Sequence, residues 1–343
     1  MKVPLPEDYP GEPLTSEKRR ELYRLMAAVR HLDESAVSWQ RQGLIPGYAP
    51  QLGQEAAQVG SGYVVDRERD FVFPTYREMG VARAVGLDMV EYMSTHKASW
   101  HGGLYNPSTT HFAPIQAVVA GSPLHAVGWA LGAKLDNTGG VALTYFGDGA
   151  SSQGDIHEAM NFASIMKAPV VFFVQNNGWA ISVPTERQIA GGSVAARASG
   201  YDMASMSIDG NDVEEVVWAT SQAFAYARAG NGPVLIEAMT YRRGPHSTSD
   251  DPGRYRSLEQ EAAASVHDPL KKMRERLQAD GVADQAFFDA VAAEARAEEE
   301  QIRAGVISLE SRPGNEMFDF VFQEPTLHLQ NQARQWREES EHV

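Results

Sequence analysis

Apolar positions along the chain follow two alternating spacings. Between Ser16 and Gln42, Leu22, Leu25, Met26, Val29, Leu32, Ala36 and Trp39 recur at helical intervals, which predicts one long amphipathic helix that Gly43 can end. Short continuous apolar runs predict buried strands at Phe71 to Tyr76, Val141 to Phe146, Val170 to Val174 and Val234 to Met239. Between the runs helical spacing returns. Leu124 to Leu135 feeds the strand at Val141, and Ile156, Met160, Ala163 and Met166 mark a helix opened by the capping-box pattern Ser152-Gln-Gly-Asp155. Val213 to Ala229 follows Asn211 as its cap, while Pro184 to Ala198 reads as an irregular loop. Strand and helix alternate throughout, which predicts a doubly wound, mostly parallel α/β sheet.

That alternation places chemistry. A strand, helix, strand unit with parallel strands is right-handed, so residues just past both strands emerge at the same carboxyl edge, where open α/β sheets bind ligands. Asp148, in Gly147-Asp148-Gly149, and Asn177, in Asn176-Asn177, occupy those two positions. Mg²⁺ demands hard oxygen donors and completes its octahedron with phosphate and water, so one carboxylate, one amide oxygen and one backbone carbonyl suffice to hold it against a diphosphate. Gly147 and Gly149 permit a sharp turn, and Gly149 with Ala150 leaves amides free near a helix start, where anions are favoured. Taken singly, Asp148 reads as a helix cap and Asn176-Asn177-Gly178 as a turn. Together, ending two adjacent buried strands, they form a far more specific signal.

Tyr241 to Arg256 is dense in turn residues and charge and must be a loop. Its arginines either pair with Asp250 and Asp251 on a solvated surface or stand, with His246, where they reach a diphosphate. Tyr76-Arg77 offers a phenol and a bidentate guanidinium, or is a surface pair at a strand end. Ser122 and Leu124 read as a helix cap and a core leucine.

Five separated segments carry a resemblance: Tyr76-Arg77-Glu78, Gly147-Asp-Gly-Ala-Ser-Ser-Gln-Gly-Asp155, Gln175-Asn-Asn-Gly-Trp-Ala-Ile-Ser-Val-Pro184, Asp209-Gly-Asn-Asp212 and Gly244-Pro-His-Ser-Thr-Ser-Asp-Asp251. Over roughly residues 15 to 280 the chain resembles the alpha subunit of the thiamine-diphosphate-dependent decarboxylating component of 2-oxo acid dehydrogenases, the branched-chain type more than the pyruvate type. The resemblance implies the diphosphate-binding half of a thiamine-diphosphate-binding fold. It implies Mg²⁺ on Asp148, Asn177 and the Trp179 carbonyl, and a cofactor touched by Tyr76, Arg77, Ser122, Leu124, Gly149, Ala150 and His246. Ile181 would prop the cofactor in its bent form, and His246 would also assist acyl transfer as a catalytic residue. Implied partners are a beta subunit, in a two-alpha, two-beta heterotetramer, the lipoyl domain of a dihydrolipoyl acyltransferase, and a 2-oxo acid. Ser247 and Ser257 match positions phosphorylated in mitochondrial relatives.

The chain also departs from the pattern. Gln175 stands where many relatives have arginine, and Ala126 and Val127 stand where branched-chain relatives hold potassium with Thr and Gln. Ser99 to Pro107 replaces a Gly-rich outer wall, and Asp148 replaces a Glu found in some relatives. Other readings are a pyruvate or acetoin dehydrogenase alpha subunit, a non-catalytic scaffold subunit, and an NAD-dependent dehydrogenase. The last lacks its third glycine, since Gly147-Asp-Gly-Ala-Ser-Ser is not Gly-x-Gly-x-x-Gly.

Composition narrows the classes further. A net charge of −15 argues against nucleic acid, and the absence of cysteine removes disulfides, zinc thiolates and a cysteine nucleophile. The N-terminus shows neither a secretory apolar core nor an Arg-rich transit face, so the cytoplasm is expected, or the mitochondrial matrix if the chain is processed. The apolar tract Ile115 to Leu135 contains Pro123, His125 and Lys134, which argues against a membrane span. With 343 residues the chain is too short for both cofactor-binding domains of this enzyme class, so a site shared with another chain is expected. The expected organisation is an arm and helix over 1–43, the cofactor-binding domain over 44–257, and a helical extension over 258–343 packing on that domain or on a partner subunit.

Overall fold

The computed structural model describes residues 14–97, 104–310 and 312–340. The polar arm to Pro13 and residues 99–103 of the Ser99 to Pro107 segment lie outside the described residues. Seven strands are described: β1 (Phe71–Phe73), β2 (Ala142–Gly147), β3 (Val170–Asn176), β4 (Trp179–Ala180), β5 (Val183–Pro184), β6 (Ala204–Asp209) and β7 (Val234–Met239). Five of them make one sheet in the order β1-β2-β3-β7-β6, every pair parallel, and β4 and β5 form a small hairpin beside it. The expected mostly parallel α/β sheet is therefore present.

Alternate strand residues feed two cores. Leu143, Tyr145, Val171, Phe173 and Ile236 pack on the side of the Glu55–Tyr63 and Val213–Arg228 helices, while Phe146, Val170, Phe172 and Val174 pack on the side of the Gly121–Leu135 and Gly154–Met166 helices. Coverage on both faces explains why β2 and β3 read as near-continuous apolar runs, broken in β2 only by the buried Thr144. β6, at the sheet edge, does not. Ala-Ser-Met-Ser-Ile-Asp buries only Met206 and Ile208, so no apolar run announces it and the sequence reading missed it.

The Ser16–Arg41 helix, capped by Thr15, packs on the Gln285–Ser308 and Pro269–Ala279 helices. One buried cluster runs from Leu22 through the sheet to Met273, Phe288 and Val306, so these helices of the extension share the core of the α/β unit. Arg19, almost fully buried, ties the layers together with Glu214 at 2.9 Å and Asp280 at 2.6 Å. No helix among the described residues is long and apolar enough to cross a membrane.

Four local expectations are corrected. The Ser152 capping box does not form: Gly149–Ser152 is a 3-10 turn in which Ser151 donates to the Asp148 carbonyl, and the helix begins at Gly154 with Gln153 as a cap that makes no side-chain bond. Asp212, not Asn211, caps the Val213–Arg228 helix by accepting from the Glu214 and Glu215 N–H groups, while the Asn211 side-chain oxygen accepts from the Thr240 hydroxyl at 3.1 Å. β1 stops at Phe73, ahead of Pro74, which has no N–H to give a ladder. Pro184 to Ala198 contains a helical turn at Thr185–Gln188 and the start of a 3-10 segment at Ala195–Tyr201.

Candidate functional site

The carboxyl ends of β2, β3 and β7 open into one cleft. Gly147 pairs with Gln175 in register, so Asp148 and Asn177 follow neighbouring strand ends and both line the cleft, with Gly149, Ala150, Trp179, Ile181, Tyr76, Arg77 and His246. Asp148 is 1 % exposed, and its Oδ2 accepts from the Thr185 hydroxyl at 2.9 Å. Burial pushes its carboxyl above the usual range, and the Thr185 bond opposes the shift. A cation at this carboxylate would therefore favour the ionised form.

The Asn pair is held from behind. Asn177 donates its amide to Gln54 at 3.2 Å, which fixes its orientation, and its Oδ1 accepts the Trp179 N–H at 3.3 Å. Asn176 donates to Glu237 at 2.8 Å and offers its own oxygen to Thr185 at 3.2 Å. Since a hydroxyl carries one proton, Asn176 and Asp148 compete for it. Glu237 is fully buried on β7 and also accepts from Ser193, Val194 and Ala195, which pins the segment after the hairpin to the sheet. The β4–β5 hairpin lies so close to Gly149 that a Cβ there would sit 2.7 Å from the Ala180 Cβ.

The opposite rim is cationic. Arg77 donates to the Pro50 carbonyl and to the His246 carbonyl at 2.9 Å, and it approaches His246 Nδ1 at 3.2 Å. A guanidinium only donates, so Nδ1 accepts and the imidazole carries its proton on Nε2. Burial, then Arg77 and Arg242, push His246 down to about 4. Arg242 is 1 % exposed and donates to the Trp179 carbonyl at 3.3 Å and the Ile181 carbonyl at 2.7 Å. Burial, followed by Arg256 and Arg77, lowers it to about 10. The carboxylate that offsets this charge is Asp250, which is occupied by the His246 N–H at 2.7 Å and the Tyr255 hydroxyl. Converging guanidiniums with little compensation are the environment an anion relieves.

Other expected positions fall elsewhere. Ser122 and Leu124 do not line the cleft: Ser122 donates to the Pro74 carbonyl and accepts from Gln116 at 2.9 Å, and Leu124 packs on the core. The helix starts at Gly121, which turns Ser122 inward, and Val118, Val119 and Ala120 line the cleft ahead of it. Ala126 and Val127 are buried core residues. Gln175 lines the cleft and bridges Gln58 at 3.0 Å and Glu78 at 2.7 Å. Ser257 is exposed, whereas Ser247 is half-buried, beside Ser249 at 3.1 Å. Gln54, Thr185, Gln188 and the inward-facing Arg242 were not singled out in the sequence. The available signal was the glutamines Gln51, Gln54 and Gln58, ahead of and within the Glu55–Tyr63 helix, whose residues from Glu55 to Gly62 are all buried.

The model of the family described as "Dehydrogenase E1 component" matches residues 23–305. The chain is 43% identical over 326 residues to the 3-methyl-2-oxobutanoate dehydrogenase subunit alpha of Mycobacterium tuberculosis, covering 95% of this chain and 88% of that protein. It is 40% identical over 266 residues to the 2-oxoisovalerate dehydrogenase subunit alpha of Bacillus subtilis, covering 75% and 81%. It is 35% identical over 326 residues to the pyruvate dehydrogenase E1 component subunit alpha of Staphylococcus epidermidis, covering 95% and 88%.

Proposed function

Because the chain belongs to the dehydrogenase E1 component family, we propose that it is the alpha subunit of a thiamine-diphosphate-dependent 2-oxo acid dehydrogenase that decarboxylates branched-chain 2-oxo acids and passes the acyl group to a lipoyl domain. The observation that carries this reading is one cleft with oxygen donors on one side and under-compensated guanidiniums on the other. The branched-chain preference is supported by identities of 43% and 40% to relatives named for such acids, against 35% to one named for pyruvate.

The residues fit the implied groups. Asp148, Asn177 and the Trp179 carbonyl are all hard oxygen donors, as Mg²⁺ requires, and the Trp179 oxygen keeps a second lone pair beside the one Arg242 uses. Arg242 Nε is a buried donor without a partner, and Arg77 and Arg242 supply positive charge for a diphosphate. When bound, the cofactor supplies the nucleophilic carbon and the electron sink for decarboxylation. The protein's share is positioning. Asp148 and Asn177 hold the cation, Tyr76 and Arg77 close the polar rim, and Ile181, with φ +56° and a half-exposed side chain in the cleft, props the cofactor. His246, neutral and carrying its proton on Nε2, can donate a hydrogen bond during acyl transfer. A beta subunit supplies the pyrimidine-binding half in a two-alpha, two-beta assembly.

The test is decarboxylation by the chain reconstituted with its beta subunit, offered 3-methyl-2-oxobutanoate, pyruvate and acetoin. The expected result is the highest kcat/KM for the branched-chain acid. A preference for pyruvate or acetoin reassigns the substrate, and failure to bind thiamine diphosphate leaves only a scaffold role.

A further inference from the structure

Asp33 lies midway along the Ser16–Arg41 helix and is 1 % exposed, on the apolar face that carries Val29, Leu32 and Ala36. Its Oδ1 accepts from two neutral donors, the Tyr48 hydroxyl at 2.7 Å and the Gln51 N–H at 2.9 Å. A buried carboxylate held only by neutral donors costs stability, so its packing alone gives no reason for a charge here. What it holds lies next to the cleft. Tyr48 donates its N–H to the Thr248 hydroxyl at 3.2 Å and accepts the Thr248 N–H at 2.9 Å, two residues from His246. Pro50 accepts from Arg77, Leu52 accepts the Arg243 N–H at 3.0 Å, and Gln54 fixes Asn177. Residues 48–54 are thus a strap laced to both rims of the cleft, and Asp33 grips it from below.

We propose that Asp33 is a positioning residue for the anion-binding rim, holding the 48–54 strap and through it Arg77 and the His246 loop in the geometry that receives a diphosphate. The inference rests on the cofactor reading above but concerns a residue outside the cleft. Its charge gives it a distinctive signature. Burial drives Asp33 up to about 7, against the opposing bonds from Tyr48 and Gln51, with Glu55 raising it further and Arg77 lowering it. The other ionisable groups around it are the Tyr48 and Tyr92 phenols, both well above their ordinary value, and the buried His96 ring 5.2 Å from that of Tyr48, held down to about 4. When Asp33 is ionised its two bonds are charge-assisted and roughly twice as strong, so the strap tightens as pH rises through about 7. Stability moves the other way. A carboxyl whose folded value lies above its unfolded value binds more protons when folded, so stability falls as pH rises between about 4 and about 7.

Opposite signs for rim order and stability separate positioning from a merely structural role. The experiment uses the full chain assembled with its beta subunit, as wild type, Asp33→Asn and Tyr48→Phe. Three quantities are read: calorimetric affinity for thiamine diphosphate with Mg²⁺ from pH 6 to 8, hydrogen exchange of peptides containing Gln51 and Thr248 without cofactor, and melting temperature. Expected are a wild-type affinity that weakens below pH 7, an Asp33→Asn affinity roughly tenfold weaker at pH 8 and flat with pH, and a Tyr48→Phe value in between. Exchange should be faster in both variants, with the Asp33→Asn melting temperature no lower than wild type at pH 8. Wild-type affinity and exchange in both variants overturns the inference, as does an affinity loss that merely tracks a lowered melting temperature. A wild type that binds no thiamine diphosphate overturns the cofactor reading instead, while exchange at Thr248 still reports on the strap.

Discussion

Glu237→Gln should be costly although it changes no volume and lies outside the cleft lining. The carboxylate is fully buried and accepts four bonds: Ser193 Oγ at 2.6 Å, Val194 N at 3.0 Å, Ala195 N at 2.9 Å and Asn176 Nδ2 at 2.8 Å. A carboxamide turns one acceptor oxygen into a donor. Facing Ser193 and Ala195, it can be satisfied by rotation of the Ser193 hydroxyl, but the Ala195 N–H is left unpaired at about 1–3 kcal/mol. The other bonds pass from charge-assisted to neutral, at about 1 kcal/mol each. The expected loss is about 4 kcal/mol at pH 7, a large part of a typical domain's stability. Urea unfolding measures it, and pH supplies an internal control. Burial pushes Glu237 up, but its donors outweigh burial and hold it below the ordinary glutamate value. Its contribution is therefore present above about 4.5 and lost as pH falls through its folded value. The variant should approach wild type in acid. A loss under about 1 kcal/mol at pH 7, or a gap undiminished in acid, would refute this account of how the segment after the hairpin is held.

Three other outcomes bear on the cleft. Asp148→Ala should abolish Mg²⁺-dependent thiamine diphosphate binding in calorimetry, and unchanged affinity would contradict the role assigned to that carboxylate. Gly149→Ala puts a methyl 2.7 Å from the Ala180 Cβ, so the hairpin must shift; a cost of about 1–3 kcal/mol and weaker cofactor binding are expected, and a wild-type melt with wild-type affinity would show the contact unimportant. In the cofactor-free chain the His246 ring should titrate near 4 by NMR. Because that value lies below its unfolded one, stability should fall as pH drops below about 6.5, and a midpoint above 6.5 would place the ring outside the field of Arg77 and Arg242.

By itself the sequence determined the sheet's interior and one edge of its chemistry. β2 and β3 are covered on both faces, so their runs, Val141 to Phe146 apart from Thr144 and Val170 to Val174, are apolar and the strands show themselves locally. The handedness of the unit they flank then sends Asp148 and Asn177 to one edge without further information. β6 escaped because an edge strand buries only alternate residues, here Met206 and Ile208 among Ser and Ala. The predicted caps at Ser152 and Asn211 failed because Ser152 lies in the 3-10 turn ahead of the helix, and the Asn211 side-chain oxygen, the acceptor a cap needs, is taken by the Thr240 hydroxyl. Only the tertiary structure decided which polar groups lose water and what they meet when they do. Gln54 reaches Asn177, Arg242 reaches the Trp179 carbonyl and Asp33 reaches Tyr48 across loops and layers, and Ser122 turns inward to Pro74. Spacing along a chain records which face a residue shares with its neighbours. Desolvation and partner choice depend on segments that meet only after folding.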